Sequence, residues 1–262
     1  MTPFTIQSLH AYPVKSLRGV DLSTADVEAQ GFRHDRRWML VDENGQFMSQ
    51  RSLARMATVG TRMVGDGIEV FQEGRESLRI PPTPQDETVR ISVWSFEAKA
   101  RAVGQEADAW FSDALGQACR LVALPLSRRR TIHPHYGPGE IAFADAMPIL
   151  VASQASLDLL NSKLDLPVPM NRFRANLILA GTPAHAEDEW ERIQIGGVTL
   201  RRTKKCGRCL VTTTDQRTGE RGTEPLRTLA EYRQEGNTVY FGCYYVPETL
   251  GTVKVGEEVR RA

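Results

Sequence analysis

Two cysteines, Cys206 and Cys209, stand in the run L-R-R-T-K-K-C-G-R-C-L-V-T-T-T-D-Q-R-T-G that spans residues 200–219. Five cations crowd the pair: Arg201, Arg202, Lys204, Lys205 and Arg208. The thiolate, not the thiol, binds metal or attacks, and nearby positive charge lowers a cysteine pKa. A C-x-x-C pair in this setting can take a metal or an anionic ligand. Leu210 and the β-branched residues 211–214 that follow predict a strand, which would set Cys209 where a loop enters a sheet.

Several chemistries compete for the pair. Half of a zinc site would need a second Cys or His pair, but Cys119 and Cys243 are isolated and His133 and His135 form only H-P-H in a basic loop. A thioredoxin-type pair follows a strand and opens a helix, whereas a strand is expected after this one. An iron–sulfur cluster needs about four thiolates, and the cysteine distribution argues against it. What remains is one cysteine ligating a cofactor metal, with the other beside it or inert.

Three arginine-bearing turns add anion-binding capacity: K-S-L-R at 15–18, R-H-D-R-R at 33–37 and N-R-F-R-A-N at 171–176. Guanidinium forks match phosphate bidentately, and tight-turn N–H groups add to the grip. Singly, such clusters are more often solvated surface; jointly, each falls at a strand–loop junction. G-P-G-E at 137–140 is no P-loop, no G-x-G-x-x-G follows a strand, and nothing marks a Ser-His-Asp triad. Tyr244 and Tyr245 alternate on an expected strand, so one can face a pocket while the other faces core or solvent. Trp38, Trp94, Trp110 and Trp190 are expected in or half in the core, and His133 and His135 in a loop.

The elements that must position these residues are mostly strands. Through residue 103 the chain reads as many short strands at regular spacing, the pattern of a sandwich or barrel, with D-E-N-G-Q as a hairpin turn. A helix is expected over 106–115 with Gly116 as its C-cap. The turn-rich basic stretch 126–140 is the best linker or mobile loop, placing a domain boundary near 122–127 and domains at 1–122 and 123–262. Beyond it, a short strand at 148–152 leads into a helix N-capped by Ser153. A strand at 176–180, a hairpin around Gly196-Gly197, a helix at 224–233 and strands at 238–246 and 251–259 complete the chain.

Composition sets the outer limits. The 262 residues suffice for one large domain or two modest ones. Thirty-three Lys and Arg against 32 Asp and Glu give a net charge of +1, which argues against a nucleic-acid polymer as partner. There is no signal peptide pattern and no apolar run long enough to span a membrane. Four cysteines without a secretory framework point to a reducing compartment, and the expected location is cytoplasmic.

Several ordered motifs then converge on one family. Y-P-V-K-S-L-R-G-V, G-F-R-H-D-R-R-W-M-L-V-D, F-R-A-N-L-I-L, K-K-C-G-R-C-L-V-T-T-T-D-Q-R-T-G, E-P-L-R-T-L, F-G-C-Y-Y and G-T-V-K-V-G-E resemble the MOSC-domain molybdenum proteins, in particular the mitochondrial amidoxime-reducing components and their bacterial counterparts. The resemblance covers nearly the whole chain. It implies a predominantly β, α+β fold: an N-terminal MOSC-associated β-barrel-like domain, then a β-barrel MOSC domain with peripheral helices. It also implies a molybdenum cofactor, one molybdopterin holding the metal, with a protein cysteine as a further ligand. That ligand falls on Cys209. Gly207 and Arg208 take neighbouring contact positions, Lys15 and Ser16 match Y-P-V-K-S, and Arg36 matches D-R-x-W. Arg174 and Asn176 match F-R-x-N, although Ala175 stands where the family often has Pro. Tyr244 matches the tyrosine of the late strand. Asp145 falls in a contact segment in which Ala146 and Met147 replace hydroxyl residues of some relatives.

The implied reaction is reductive dehydroxylation of a small N-hydroxylated substrate. No cysteines are left over for a cluster before Ala262, so a separate electron donor, a ferredoxin or flavoprotein reductase, is expected. A cofactor or sulfur carrier without its own turnover is the competing expectation, because MOSC domains also occur in sulfur-transfer settings. The third is a β-rich protein with an incidental C-x-x-C.

Overall fold

A computed structural model of the protein describes residues 3–82, 87–125 and 130–262. Its centre is a closed seven-stranded barrel. Around the ring run Ile149–Ser153, Leu177–Ala180, Phe4–Ala11, Glu258–Arg261, Arg192–Ile195, Val198–Gly207 and Thr238–Pro247, and the last pairs back to the first. Alternation along the strands fills the interior with Ile6, Leu9, Val151, Leu177, Leu179, Ile193, Leu200 and Tyr245, all buried. Ile149–Ser153 and Leu177–Ala180 form a parallel pair, which needs a crossover, and the helix Gln154–Asn161 supplies it. Ser153 caps that helix by accepting from Ser156 N. Because helices cover the barrel's outside here, Leu150, Ala152 and Ile178 are buried against Leu157, Leu160 and Leu229.

The N-terminal strands form an open half-barrel. One sheet is ordered Trp38–Val41, Arg120–Ala123, Phe96–Ala102 and Thr88–Val93; a second joins Gly60–Val64, Gly67–Phe71 and Leu78–Ile80. Trp38 and Leu40 face the core under the helix Gln105–Leu115, while Met39 and Val41 face a second cluster with Ile91 and Phe143. Gly116 ends that helix in the left-handed region at φ 67°.

The two units share their strands. Phe4–Ala11 lies inside the C-terminal barrel, and Thr24–Glu28 pairs with Gly251–Lys254. The expected division at residue 122 cuts the strand Arg120–Ala123. Val14 bridges to Trp38 and Lys15 N donates to Trp38 O at 2.8 Å, so the K-S-L-R turn is where the chain leaves the barrel for the first half-barrel sheet. Among the described residues no helix is long and apolar enough to cross a membrane.

Several local expectations are corrected. The residues after Cys209 are not a strand: Leu210–Thr213 is a 3-10 turn. Thr212 Oγ1 and Thr213 Oγ1 donate back to Cys209 O and Leu210 O, at 3.0 and 2.8 Å, a local bonding mode that outweighs the β-propensity of the run. The strand comes before Cys209 instead and carries Cys206 near its end. Residues 251–259 split into two strands, Gly251–Lys254 and Glu258–Arg261, around Gly256, whose φ is 85°. In the basic stretch 126–140, residues 126–129 lie outside the described residues. The rest is a β-ribbon, Arg130–Thr131 with Glu140–Ile141, around the turn Pro134–Tyr136 that carries His133 and His135. Trp94 is not core: it sits 51% exposed at a hairpin tip.

Candidate functional site

All ten residues that the sequence points to (Lys15, Ser16, Arg36, Asp145, Arg174, Asn176, Gly207, Arg208, Cys209 and Tyr244) line one cavity of about 610 Å³. They arrive from separate segments. The K-S-L-R turn follows the first barrel strand, and Arg36 lies in the turn before Trp38–Val41. Arg174 ends the turn Met170–Phe173, and Asp145 precedes Ile149–Ser153. Ser16, Arg36 and Arg174 all have φ between 49° and 68°. Non-glycine residues in that region cost about 1–3 kcal/mol each and persist where the surroundings over-determine them. Three at one cavity mark a site where side-chain direction is imposed.

Tyr12, buried, is the axis of the cationic wall. The Arg36 and Arg174 guanidiniums each lie 4.3 Å from its ring centroid, and its hydroxyl donates to Ala175 O at 3.2 Å. Burial pushes the Tyr12 phenol up to about 12, against the pull of both arginines. Arg36 pairs with the buried carboxylate of Asp35 and donates to Asn176 Oδ1 at 3.2 Å and Arg174 O at 3.3 Å. Arg174 donates to Leu17 O at 2.7 Å. Burial draws its pKa down to about 10, which still leaves it charged at neutral pH.

Asn176 lines the cavity, yet its amide is fully used within the protein. Nδ2 donates to His10 O and Asp35 Oδ1, both at 3.1 Å, while Oδ1 accepts from Leu150 N at 3.1 Å and from Arg36. Two donors and two acceptor sites are spent. Asn176 therefore fixes the Asp35–Arg36 pair to the barrel.

On the opposite wall the buried Lys15 ammonium pairs with Asp145 and donates to Phe143 O at 2.9 Å. Burial pulls Lys15 below its ordinary value while Asp145 raises it. Burial works against the Asp145 carboxylate, but Lys15 and Arg51 outweigh it and hold Asp145 well below the usual carboxylate range. The indole of Trp94 donates to the same carboxylate at 3.3 Å, and Arg51 lies over its ring at 4.8 Å.

The cysteine strand Val198–Gly207 and the tyrosine strand Thr238–Pro247 make the third wall. Their register shifts twice, between Arg202 and Lys204 and between Lys205 and Gly207. Such bulges re-aim side chains. A Cβ on Gly207 would lie 2.8 Å from Thr238 Cγ2, so the close approach needs glycine. Cys206 is 1% exposed, and its sulfur accepts from Arg208 Nη1 at 2.7 Å. Arg208 Nη2 donates to Phe173 O at 2.5 Å, and its buried Nε has no partner among the described residues. Burial would lower the Arg208 pKa; Cys206, Tyr244 and Cys209 reverse the effect and raise it. Tyr244, pushed well above its ordinary value by burial and by Cys206, presents a protonated phenol. Tyr245 faces the barrel interior and donates to Trp190 O at 3.0 Å. Cys209 is half-buried on the cavity. The remaining thiols are elsewhere: burial pushes Cys119 up to about 11 and Cys243 higher still.

The sequence matches this architecture along its length. Residues 3–118 match the MOSC N-terminal beta barrel domain and residues 138–260 the MOSC domain. The chain is 34% identical to mitochondrial amidoxime-reducing component 1 of Mus musculus, over 97% of its own length and 81% of that protein's. It belongs to this MOSC-domain family. Identity to component 1 of Homo sapiens is 35%, over 97% of this chain and 82% of that one. Component 2 of Bos taurus is 31% identical over the same two shares.

This MOSC cavity also draws in residues the sequence did not single out: Arg51, Tyr136, Thr212, Glu235 and Tyr240. Arg51 comes from an unremarkable segment and Tyr136 from the stretch read as a linker, both far from the cysteines, and no spacing flags them. Lys204 and Lys205 were visible only as part of a basic run. Lys204 lies over the Tyr136 ring at 4.6 Å, and Lys205 pairs with Glu235.

Proposed function

We propose that this protein is a molybdenum cofactor-dependent reductase of N-hydroxylated compounds: amidoximes, hydroxylamines and N-hydroxylated bases. The reading draws on the name its relatives carry, amidoxime-reducing component. One observation carries it: Cys209, half-buried, shares a single cavity with the fixed cations Lys15, Arg36, Arg174 and Arg208.

The residues fit a molybdopterin-held metal. Among the described residues no group of three or more His, Cys, Asp or Glu side chains is placed to hold a bare ion. A metal that arrives with its own sulfur ligands needs only one more from the protein, and a soft thiolate suits it. Cys209 would be that ligand. The cations would hold the phosphate-bearing end, and the unpaired Nε of Arg208 leaves a donor unspent. When bound, the cofactor supplies the two-electron chemistry. The balanced reaction takes the N-hydroxylated compound, two electrons and two protons to the N–H compound and water. Toward it, the Tyr244 phenol keeps its proton at neutral pH and offers a neutral hydrogen-bond donor, while Asp145 stays ionised and holds Lys15 and Arg51.

Electrons would come from a separate donor protein, a ferredoxin or flavoprotein. The test is metal and pterin analysis of protein made in a cofactor-competent host, then turnover of benzamidoxime with a reduced viologen dye. Molybdenum-free protein overturns the reading. Loaded protein that never turns over makes it a cofactor or sulfur carrier, and turnover with NADH alone removes the need for a donor protein.

A further inference from the structure

Cys206 has no evident task in that reading, yet it is the more buried of the two cysteines and the better connected. Its sulfur accepts from Arg208 Nη1 at 2.7 Å. Tyr244, on the neighbouring strand, lines the same cavity, and Cys206 counts among the causes of its raised pKa. The arginine is thus folded back over Gly207 onto the residue two before it. Besides the sulfur, its guanidinium donates to Phe173 O, and the ring of Phe173 lies 5.4 Å from its centre. The backbone is pinned as well, with Arg208 N donating to Val239 O at 2.7 Å. C-G-R-C is consequently one tied unit: a buried anchor sulfur, a glycine that permits close approach to Thr238, a guanidinium held by that sulfur, and then Cys209.

We infer that Cys206 is a positioning residue, whose sulfur docks the Arg208 guanidinium so that Arg208 and Cys209 meet the cofactor preorganised. It is neither a metal ligand nor a redox partner of Cys209. The inference rests on the proposed cofactor, but the link between Cys206 and Arg208 is a property of the chain alone. Partners of this indirect kind typically cost 10–100-fold in affinity when removed, and a buried cation that loses one of two acceptors is left under-satisfied.

The experiment compares Cys206→Ala, Cys206→Ser, Arg208→Lys and the double variant Cys206→Ala/Arg208→Lys, all made in a cofactor-competent host. Three quantities are read: molybdenum and pterin per chain after gel filtration, turnover per bound molybdenum, and the urea midpoint of cofactor-free protein. Cys206→Ala is expected to retain about tenfold less cofactor, with turnover per bound molybdenum within about twofold of the parent. Cys206→Ser keeps a hydrogen-bond acceptor and is expected to load almost normally. The double variant should load no worse than Arg208→Lys, because both changes break one interaction. Normal loading of Cys206→Ala overturns the inference. So does a Cys206→Ser protein that loads fully but loses turnover, since the thiol itself would then act. If the parent chain carries no molybdenum, the functional reading fails. The inference is then judged by the urea midpoints, where additive losses in the double variant overturn it and non-additive losses support it.

Discussion

Replacing Asn176 with Ala separates positioning from direct contact at the cationic wall. Its amide makes four hydrogen bonds, at 3.1, 3.1, 3.1 and 3.2 Å, to His10 O, Asp35 Oδ1, Leu150 N and Arg36 Nη1. Alanine would strand the Leu150 N–H and remove one acceptor or donor from each of the others. An unsatisfied buried polar group costs roughly 1–3 kcal/mol. The Leu150 N–H and the weakened Asp35–Arg36 pair together put the loss at about 3–5 kcal/mol. For a chain of this size that corresponds to a fall of about 10 °C in Tm. Urea and thermal unfolding of cofactor-free protein measure it, and Asn176→Asp should be no better, because it sets a second carboxylate against Asp35. A loss below about 1 kcal/mol in cofactor-free Asn176→Ala, accompanied by a large fall in cofactor retention, would refute the clamp and return Asn176 to a direct contact.

Four further outcomes are expected. Cys209→Ala abolishes benzamidoxime turnover, while Cys206→Ala keeps activity in proportion to the cofactor it still holds; complete loss of activity per bound molybdenum in both would indicate a dithiol mechanism. Gly207→Ala places a Cβ 2.8 Å from Thr238 Cγ2 and costs about 1–3 kcal/mol in urea unfolding, with recovery when Thr238→Ser removes that methyl. Burial raises Glu187 to about 7, so its folded form holds a proton the unfolded chain releases near pH 4.5, and the stability this gives is lost as pH rises from 4.5 through 7. His185, lowered to about 4, has the opposite slope below pH 6.5, so the check is the difference between Glu187→Gln and parent, which should grow in favour of the variant by up to roughly 3 kcal/mol between pH 5 and 8. Finally, a fragment of residues 123–262 lacks Phe4–Ala11 and so one of seven barrel strands; it should show no cooperative thermal transition unless residues 1–122 are supplied, and a sharp transition in the fragment alone would refute the shared barrel.

The sequence was most legible where local chemistry dominates. Ser153 and Gly116 cap their helices as their residue types require, and hairpins form at Asn44-Gly45 and Gly196-Gly197. It was least legible where a long-range pairing decides. Nothing in F-T-I-Q-S-L-H-A says that it will pair with the distant Leu177–Ala180 and Glu258–Arg261 as well as with the neighbouring Val20–Leu22. The T-T-T run misled because β-branching favours strands, while its hydroxyls here bond back into a 3-10 turn. Trp94 misled because hydrophobicity predicts burial, whereas its hairpin tip, φ 55°, holds the ring out over Arg51 and next to Asp145. The site residues were recognisable through ordered motifs, not spacing: Lys15 and Arg208 are 193 positions apart, and only barrel closure brings them to one cavity.

The cavity's cations divide into two kinds, and the division bears on how an anion would be held. Lys15, Arg36, Arg174 and Arg208 each have an acceptor fixed by the fold: Phe143 O, Asp35, Leu17 O and the Cys206 sulfur. Their desolvation is met during folding, so an arriving anion meets charges already oriented and already stripped of water. Such preorganised groups act more strongly than they would in water. Lys204 and Lys205, half-buried at the edge of the same cavity, rest on tyrosine rings, and Lys205 also pairs with the exposed carboxylate of Glu235. Exposed charges are screened by salt over about 10 Å at 0.1 M, whereas buried ones are screened much less. Retention of an anionic group by the first set should therefore change little with ionic strength. Any salt-sensitive step, such as the approach of a charged substrate or donor, belongs to the lysines of the rim.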